Sequence, residues 1–337
     1  NKAYRHLTYR VLKLLAYYWG GTDALCYLQI ALSTAAGVYL AATTTTFTLG
    51  NVLLFSSYTG MLTWPVRQLG RILADMGRAT VAMERLDEIL SAPLEQEPGK
   101  ALKPEIRGNI QFSHVNFGYD YPDEVLKDIS FEVRSGQTIG ILGATGSGKS
   151  SLVQLLQRLY PVTGGHIYLD GVDINDIEHE HLRSHIGIVL QEPFLYSRSI
   201  LDNIRITDPS ASAEEVYSAA KAAAVHDVIQ RFDKGYDTLV GERGVTLSGG
   251  QQQRVAIART LMRKTPILIF DDSMSAVDTE TDQAIRKALR GIRGQSTTFI
   301  ISHRITTLME SDRILVLDQG RLVEEGTHAE LLSKHGI

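Results

Sequence analysis

Hydrophobic and polar positions follow three different rhythms along this chain. From Leu14 to Val66 the only charged side chain is Asp23, whereas about a quarter of the residues in a soluble domain are charged. The run divides into two apolar spans, about 24–42 and 47–66. Each is close to the roughly 20 residues that cross about 30 Å of hydrocarbon as a helix. Lys2, Arg5, Arg10 and Lys13 precede the run, and Arg67, Arg71 and Arg78 follow it. Positive residues mark cytoplasmic ends, so the pattern predicts a helical hairpin with both ends in the cytoplasm. Tyr17, Tyr18, Trp19 and Trp64 lie near the span ends, where amphipathic aromatics sit in membranes. Several Thr and Ser make the spans only moderately hydrophobic, and a pair of buried core helices is the competing reading.

From Arg67 the rhythm turns amphipathic. Leu69, Ile72, Leu73, Met76, Ala79, Met83, Leu86 and Leu90 recur at helical spacing, with charges between them. The second span is therefore expected to continue as a helix beyond the membrane. Pro93, Pro98 and Pro104 then prevent a helix from running on. This divides the chain into 1–90, a linker at 91–105, and a second domain at 106–337. In that domain 110–133 alternates as short strands do. Thr138–Leu142 and Ile267–Phe270 read as apolar strands, and helical patterns follow Ser150 and Gly250.

Composition changes the picture little. The 337 residues carry 34 Lys and Arg against 38 Asp and Glu, a formal charge of −4. That balance provides no general attraction to nucleic acid, and none is expected as a partner. Cys26 is the single cysteine, which excludes an internal disulfide and a cysteine-based zinc site. His179 and His181 lack the further ligands of a metal site, and the histidines in general are expected on the surface or in the core. With Asn1 in first place the sequence reads as part of a longer or processed chain.

The second domain carries the chemistry. The strand ending at Leu142 runs into Gly143-Ala144-Thr145-Gly146-Ser147-Gly148-Lys149-Ser150, with Ser151 opening a helix. This is a P-loop in its strand–loop–helix context. Its glycines let backbone N–H groups turn inward around phosphate, and the helix N-terminus adds a favourable field for anions. Lys149 is placed to bridge the outer phosphates and Ser150 to ligate Mg²⁺. Asp271, at the end of an apolar strand, fits the carboxylate that holds Mg²⁺ and its waters. Ser248, Gly249, Gly250 and Gln251 open a second helix whose N-terminus suits phosphate. One chain cannot easily aim two such ends at one γ-phosphate, which suggests nucleotide sandwiched between two copies of the domain.

These motifs, in this order and spacing, resemble the C-terminal part of an ABC exporter half-transporter. The resemblance covers essentially the whole chain. It implies the last two of six transmembrane helices, followed by an α/β P-loop NTPase domain with an antiparallel β subdomain and a helical subdomain. It further implies a multi-pass protein of the cell membrane with its ATP-binding domain in the cytoplasm. Four helices and the coupling helices would lie upstream, and a second half-transporter would be the partner. Tyr119 matches the aromatic that stacks on adenine, and Gln191 the glutamine that senses Mg²⁺ and touches the membrane domain. Leu247–Gln251 matches the signature motif, which serves ATP bound on the opposite subunit. Asp278, in Ser275-Ala-Val-Asp278, matches a residue that communicates between the two sites. His303 matches the switch histidine at the γ-phosphate, and Gly241–Gly244 an exporter-type loop.

One position departs from the pattern. Competent members carry Glu after the Asp271 position to orient the attacking water, and here the residue is Asp272. Its side chain is one methylene shorter, and misplacement by about 1 Å costs roughly a hundredfold in rate. The departure resembles the degenerate subunit of heterodimeric bacterial exporters, which binds MgATP and hydrolyses it slowly. A homodimer with a working Asp272 is the alternative. A soluble DNA-maintenance ATPase is disfavoured by the uncharged run. The cargo is not legible in these residues.

Overall fold

The structure is a computed structural model that describes residues 2–92, 94, 95, 97, 99–120, 122–241, 246–272 and 294–334. It begins with two helices, α1 (Lys2–Thr43) and α2 (Leu49–Leu90), each of 42 residues. At 1.5 Å per residue each is about 63 Å long, roughly twice a bilayer's hydrocarbon thickness. Both outrun the apolar spans. Gly20 and Gly21 leave α1 unbroken, and α2 continues through Pro65, although proline removes one backbone donor there.

Threonine is accommodated inside these helices by local bonding. The hydroxyls of Thr22, Thr34, Thr59 and Thr63 donate to the carbonyls of Tyr18, Ile30, Phe55 and Thr59 at 2.7–2.8 Å. That hides polar groups from an apolar surround, so moderate hydrophobicity is compatible with lipid. The helices meet where Gly37 faces Val52, and Thr34 Oγ1 lies 2.9 Å from Ser56 Oγ across the pair. Leu25, Leu28, Leu32, Leu53, Phe55 and Trp64 are exposed. The α1 helix is long and apolar enough to cross a membrane.

The chain divides into two compact units, Asn1–Glu95 and Gln96–Ile337. The second unit contains two sheets. One is antiparallel, with β1 (Ile110–Phe117), β2 (Leu126–Val133), β4 (Gly164–Leu169) and β5 (Val172–Asp173) in the order β2-β1-β4-β5. The other has six strands in the order β10-β9-β3-β8-β7-β6. These are β3 (Thr138–Gly143), β6 (Ile186–Val189), β7 (Ile267–Asp271), β8 (Thr297–Ile301), β9 (Arg313–Asp318) and β10 (Arg321–Gly326). All pairings are parallel except β9 with β10. Described helices are α3 (Lys149–Leu156), α4 (His179–Ser184), α5 (Ile200–Ile204), α6 (Ala213–Ala222), α7 (His226–Gln230), α8 (Gly249–Met262), α9 (Ile305–Leu308) and α10 (His328–Lys334).

The central strands β7 and β8 of the six-stranded sheet are buried on both faces, and β7 explains why its sequence is continuously apolar. Ile267 and Ile269 join a core built from the antiparallel sheet and α3, including Phe112, Leu126 and Leu152. Leu268 and Phe270 point the other way, into a core built from α5, α6 and α8 that includes Ile200, Val216 and Ile257. Alternate side chains on a strand face opposite sides, so a strand between two cores must be apolar throughout. The turn Asp170-Gly171 between β4 and β5 has φ of 51° and 82° at its two residues, the left-handed pair of a tight hairpin. Glu97 and Pro104 are held on this unit. Arg158 donates to buried His179 Nε2 at 2.6 Å, Glu97 accepts from the His179 N–H at 3.2 Å, and His181 Nε2 lies 2.8 Å from the Pro104 carbonyl.

Candidate nucleotide site

Four adjacent parallel strands set the site. In the order β3-β8-β7-β6, their carboxyl ends lead into the 143–150 loop, His303, Asp271-Asp272 and Gln191. Ile301 of β8 sits in register with Ile141 of β3 on one side and with Asp271 of β7 on the other. Ligands in parallel α/β sheets bind at this edge. The topology thus gathers residues spread over 160 positions of sequence.

The loop between β3 and α3 is shaped by glycine. Gly146 and Gly148 have φ of +84° and +97°, which other residues adopt only with strain. A Cβ at Gly143 would lie 2.3 Å from the Leu317 carbonyl oxygen, and one at Gly148 would lie 2.6 Å from Leu126. A Cβ at Gly146 would meet nothing within 4 Å, so the loop is open there. Among the described residues no side chain caps α3, whose N-cap is Gly148, and its first N–H groups are oriented to suit an anion. Ser147 Oγ is buried and has no hydrogen-bond partner among the described residues. Lys149 Nζ folds back on the loop, donating to the carbonyls of Gly143 at 2.9 Å and Ala144 at 2.8 Å. Ala144, Thr145 and Ser151 complete the loop and the helix start. These features fit a phosphate chain.

The shifts at Lys149 and Asp271 both favour the neutral forms. Burial depresses the Lys149 ammonium pKa, while Asp271 and Asp272 oppose that shift. Burial raises the Asp271 carboxyl pKa, assisted by Asp272 and resisted by the hydroxyl of Ser150 and by Lys149. Ser150 Oγ donates to Asp271 Oδ1 at 3.0 Å, so the hydroxyl and carboxylate expected to share Mg²⁺ are already adjacent. Their oxygen donors suit a hard divalent cation. Asp272 is buried, with its N–H donating to the Ile301 carbonyl at 3.0 Å. Its φ is +42°, a region Asp tolerates better than most residues.

Tyr119 is half exposed beside this loop. Its hydroxyl lies 3.0 Å from Ser151 Oγ, and its ring meets Phe117 and Tyr160 edge-on at 4.8 and 5.0 Å. His303 and Gln191 are exposed just beyond β8 and β6. Ser248 caps α8 reciprocally: its hydroxyl accepts from the Gln251 N–H, and its own N–H donates to Gln251 Oε1 at 2.9 Å. Gly249 and Ser248 are exposed, and a Cβ at Gly249 would meet nothing within 4 Å. Among the described residues no hydrogen bond joins Ser248–Gln251 to the 143–151 loop. Asp278 and positions 242–244 of the 241–244 loop lie outside the described residues.

Sequence reasoning missed the residues that hold the Gln191 segment. Gln253, 2% exposed on α8, donates through Nε2 to the carbonyls of Leu190 at 3.2 Å and Gln191 at 3.4 Å. Arg259 donates to the Phe194 carbonyl at 3.0 Å and to Asn203 at 2.8 and 3.0 Å. Asn203 in turn brackets the backbone of Tyr196. The sole sequence signal is a polar residue recurring within an apolar helix, and it does not say what that residue touches.

Residues 126–275 match the family model described as ABC transporter. The chain is 43% identical over 287 residues to the alpha-hemolysin translocation ATP-binding protein HlyB of Escherichia coli O157:H7, covering 85% of this chain and 41% of that protein. It is 40% identical over 288 residues to the putative multidrug export ATP-binding/permease protein YgaD of Bacillus subtilis strain 168, covering 85% and 50%. It thus spans about half or less of these relatives' length. A solved bacterial Atm1-family ABC exporter with ATP bound superposes with a TM-score of 0.81 at 38% identity, covering all of this chain and 59% of that one. The chain carries an α/β domain of the ABC ATPase type, preceded by two long helices of which α1 is apolar enough to cross a membrane.

Proposed function

We propose that this chain is the C-terminal part of an ABC exporter half-transporter that couples MgATP binding and hydrolysis to transport across the membrane. Residues 1–90 would supply its last two membrane helices, 91–105 the linker, and 106–337 the cytoplasmic ATP-binding domain. Support comes from the convergence of the glycine loop, the Ser150–Asp271 pair, Gln191 and His303 at one sheet edge. In this reading Tyr119 stacks on adenine, while Lys149 and the backbone of the 143–150 loop bind phosphates. Ser150, Gln191 and Asp271 would hold Mg²⁺, which neutralises phosphate charge when bound. His303 contacts the γ-phosphate. Ser248, Gly249, Gly250 and Gln251 serve the nucleotide of a second half-transporter, and Asp278 links the two sites.

The finer reading concerns turnover. Asp272 stands where a longer carboxylate would orient water, so this chain's own site binds ATP well and hydrolyses it slowly, as one member of a heterodimer. The single observation that carries this is a buried aspartate directly after the Ser150-bonded Asp271. Steady-state ATP turnover of the intact protein, purified without a partner, tests it against Asp272→Glu. The expected result is a nearly silent parent and a gain on the order of a hundredfold in the variant. A parent turning over at about 1–10 per second overturns the reading and favours a homodimer with a working Asp272.

A further inference from the structure

We propose that Gln253 is a positioning residue for Gln191, and that through it α8 carries the Gln191 segment as one body with the signature motif at its own N-terminus. The proposal rests on the MgATP reading of the site and adds a residue to it.

The argument starts from where the sheet ends. β6 is an edge strand, and its register with β7 stops at Val189 opposite Phe270. Beyond Val189 the backbone has no ladder, and Leu190, Gln191 and Glu192 are exposed. A segment without a ladder takes its geometry from whatever side chains bind its carbonyls. Here one carboxamide does so: Nε2 of Gln253 reaches both the Leu190 and the Gln191 carbonyls. Burying a glutamine is costly unless its polar atoms are bonded, and a leucine on the same face would pack without that penalty. What the buried carboxamide contributes is therefore the placement of two successive peptide groups, the second being that of Gln191 itself.

Two further side chains of the same helix extend the grip. Thr260, seven residues on and so on the same helix face as Gln253, contacts the Ile188 carbonyl at 3.3 Å. Arg259 holds the Phe194 carbonyl and, through Asn203, the backbone of Tyr196. The segment from Ile188 to Tyr196 is thus pinned along α8 at several points. Ser248 caps α8 only five residues before Gln253, about 7.5 Å along a helix axis. A displacement of the signature end moves Gln253, and with it the origin of the Gln191 side chain.

The test uses the intact membrane protein, Mn²⁺ as a spectroscopic stand-in for Mg²⁺, and a non-hydrolysable ATP analogue. Free Mn²⁺ is read by its electron paramagnetic resonance signal. Gln253→Leu is expected to weaken nucleotide-dependent Mn²⁺ binding by about tenfold to a hundredfold, the usual effect of losing an outer-shell partner. Metal-free nucleotide affinity is expected to stay within about twofold, and the Mn²⁺ loss to vanish in a Gln191→Ala background, because the two side chains act in series. Thermal unfolding checks that each variant is folded, and Gln253→Glu, of the same shape without the donor, takes the place of Gln253→Leu if that variant is not. Unchanged Mn²⁺ affinity in a folded Gln253 variant overturns the proposal. So does an equal loss with and without Gln191, which assigns Gln253 a merely structural role. A parent that binds the analogue but retains no Mn²⁺ overturns the MgATP reading itself, and the proposal with it.

Discussion

Asp170 illustrates how much a single side chain decides away from the nucleotide loop. Its carboxylate accepts the N–H groups of Arg107, Gly108 and Asn109 at 2.7, 2.9 and 3.1 Å, and Asn109 Nδ2 at 2.6 Å. It thereby ties the segment just before β1 to the β4–β5 turn. Burial pushes its pKa up, but the hydrogen bonds from Gly108, Asn109 and Arg107 outweigh it, leaving the carboxyl below its ordinary value. A depressed folded-state pKa contributes stability above the unfolded value and loses it as pH falls through the folded one. Asp170→Asn turns an amide N–H₂ toward these donors, and about 1–3 kcal/mol of stability should be lost at neutral pH. Protonated aspartic acid resembles asparagine, so the gap between variant and parent should begin to narrow below about pH 4 and close as pH falls through the lower folded-state value. Urea midpoints from pH 7 to pH 3 measure it, and a gap independent of pH would contradict the assignment. The Asp170-Gly171 pair is a recognisable hairpin signal, but its clamp on residues 107–109 is not. A turn type is written in adjacent residues, whereas the clamp joins positions about sixty apart in sequence.

At the scale of elements, the helical pair α1 and α2 is held by small residues. Two described contacts join it: Gly37 against Val52, and Thr34 hydrogen-bonded to Ser56. A Cβ at Gly37 would already stand 3.4 Å from Val52 Cγ1, so Gly37→Leu must spread the helices. Overpacking of this kind costs about 1–3 kcal/mol. Thr34→Val, which removes only the interhelical bond, should cost about 0.6 kcal/mol. Thermal unfolding in detergent should rank Gly37→Leu below Thr34→Val, and the reverse order would place the contact elsewhere. The uncharged run was readable as helical because charge is absent from it, and the amphipathic rhythm carried the end of α2 to Leu90, just before Pro93, whereas the start of α1 at Lys2 was not readable. Charge marks where lipid stops, while a helix stops where hydrogen bonding or proline stops it, and neither Gly20-Gly21 nor Pro65 does so. The strands followed similar logic. β3 and β7 were legible as apolar runs beside recognisable loops, whereas the anchoring of the 190–196 segment on α8 depends on which polar side chains face inward.

For the whole molecule the open question is how a signature motif can act when, among the described residues, no hydrogen bond links it to the loop of its own chain. Ser248 and Gly249 are exposed at the start of α8, and an open helix N-terminus attracts anionic groups. Under the proposed function its partner is a second subunit's nucleotide, and ATP shifts the closure equilibrium only by binding the closed state more tightly. If each of two nucleotides gains about 1.5 kcal/mol of charge-assisted bonding from such an end, closure tightens by roughly a hundredfold. Gly249→Asp separates this from folding. The new Cβ meets nothing within 4 Å, and an acidic residue in the first turn favours the helix dipole, so the unliganded protein should be no less stable. The same carboxylate repels a phosphate approaching from a second subunit. Hydrogen exchange of the intact protein reads both sites at once. With ATP analogue and Mg²⁺, the parent should gain protection at 143–151 and at 248–254. Gly249→Asp should keep the first and lose the second. Retained protection at 248–254 would mean that this end of α8 is ordered from within its own chain, and the sandwich arrangement would be wrong for this protein.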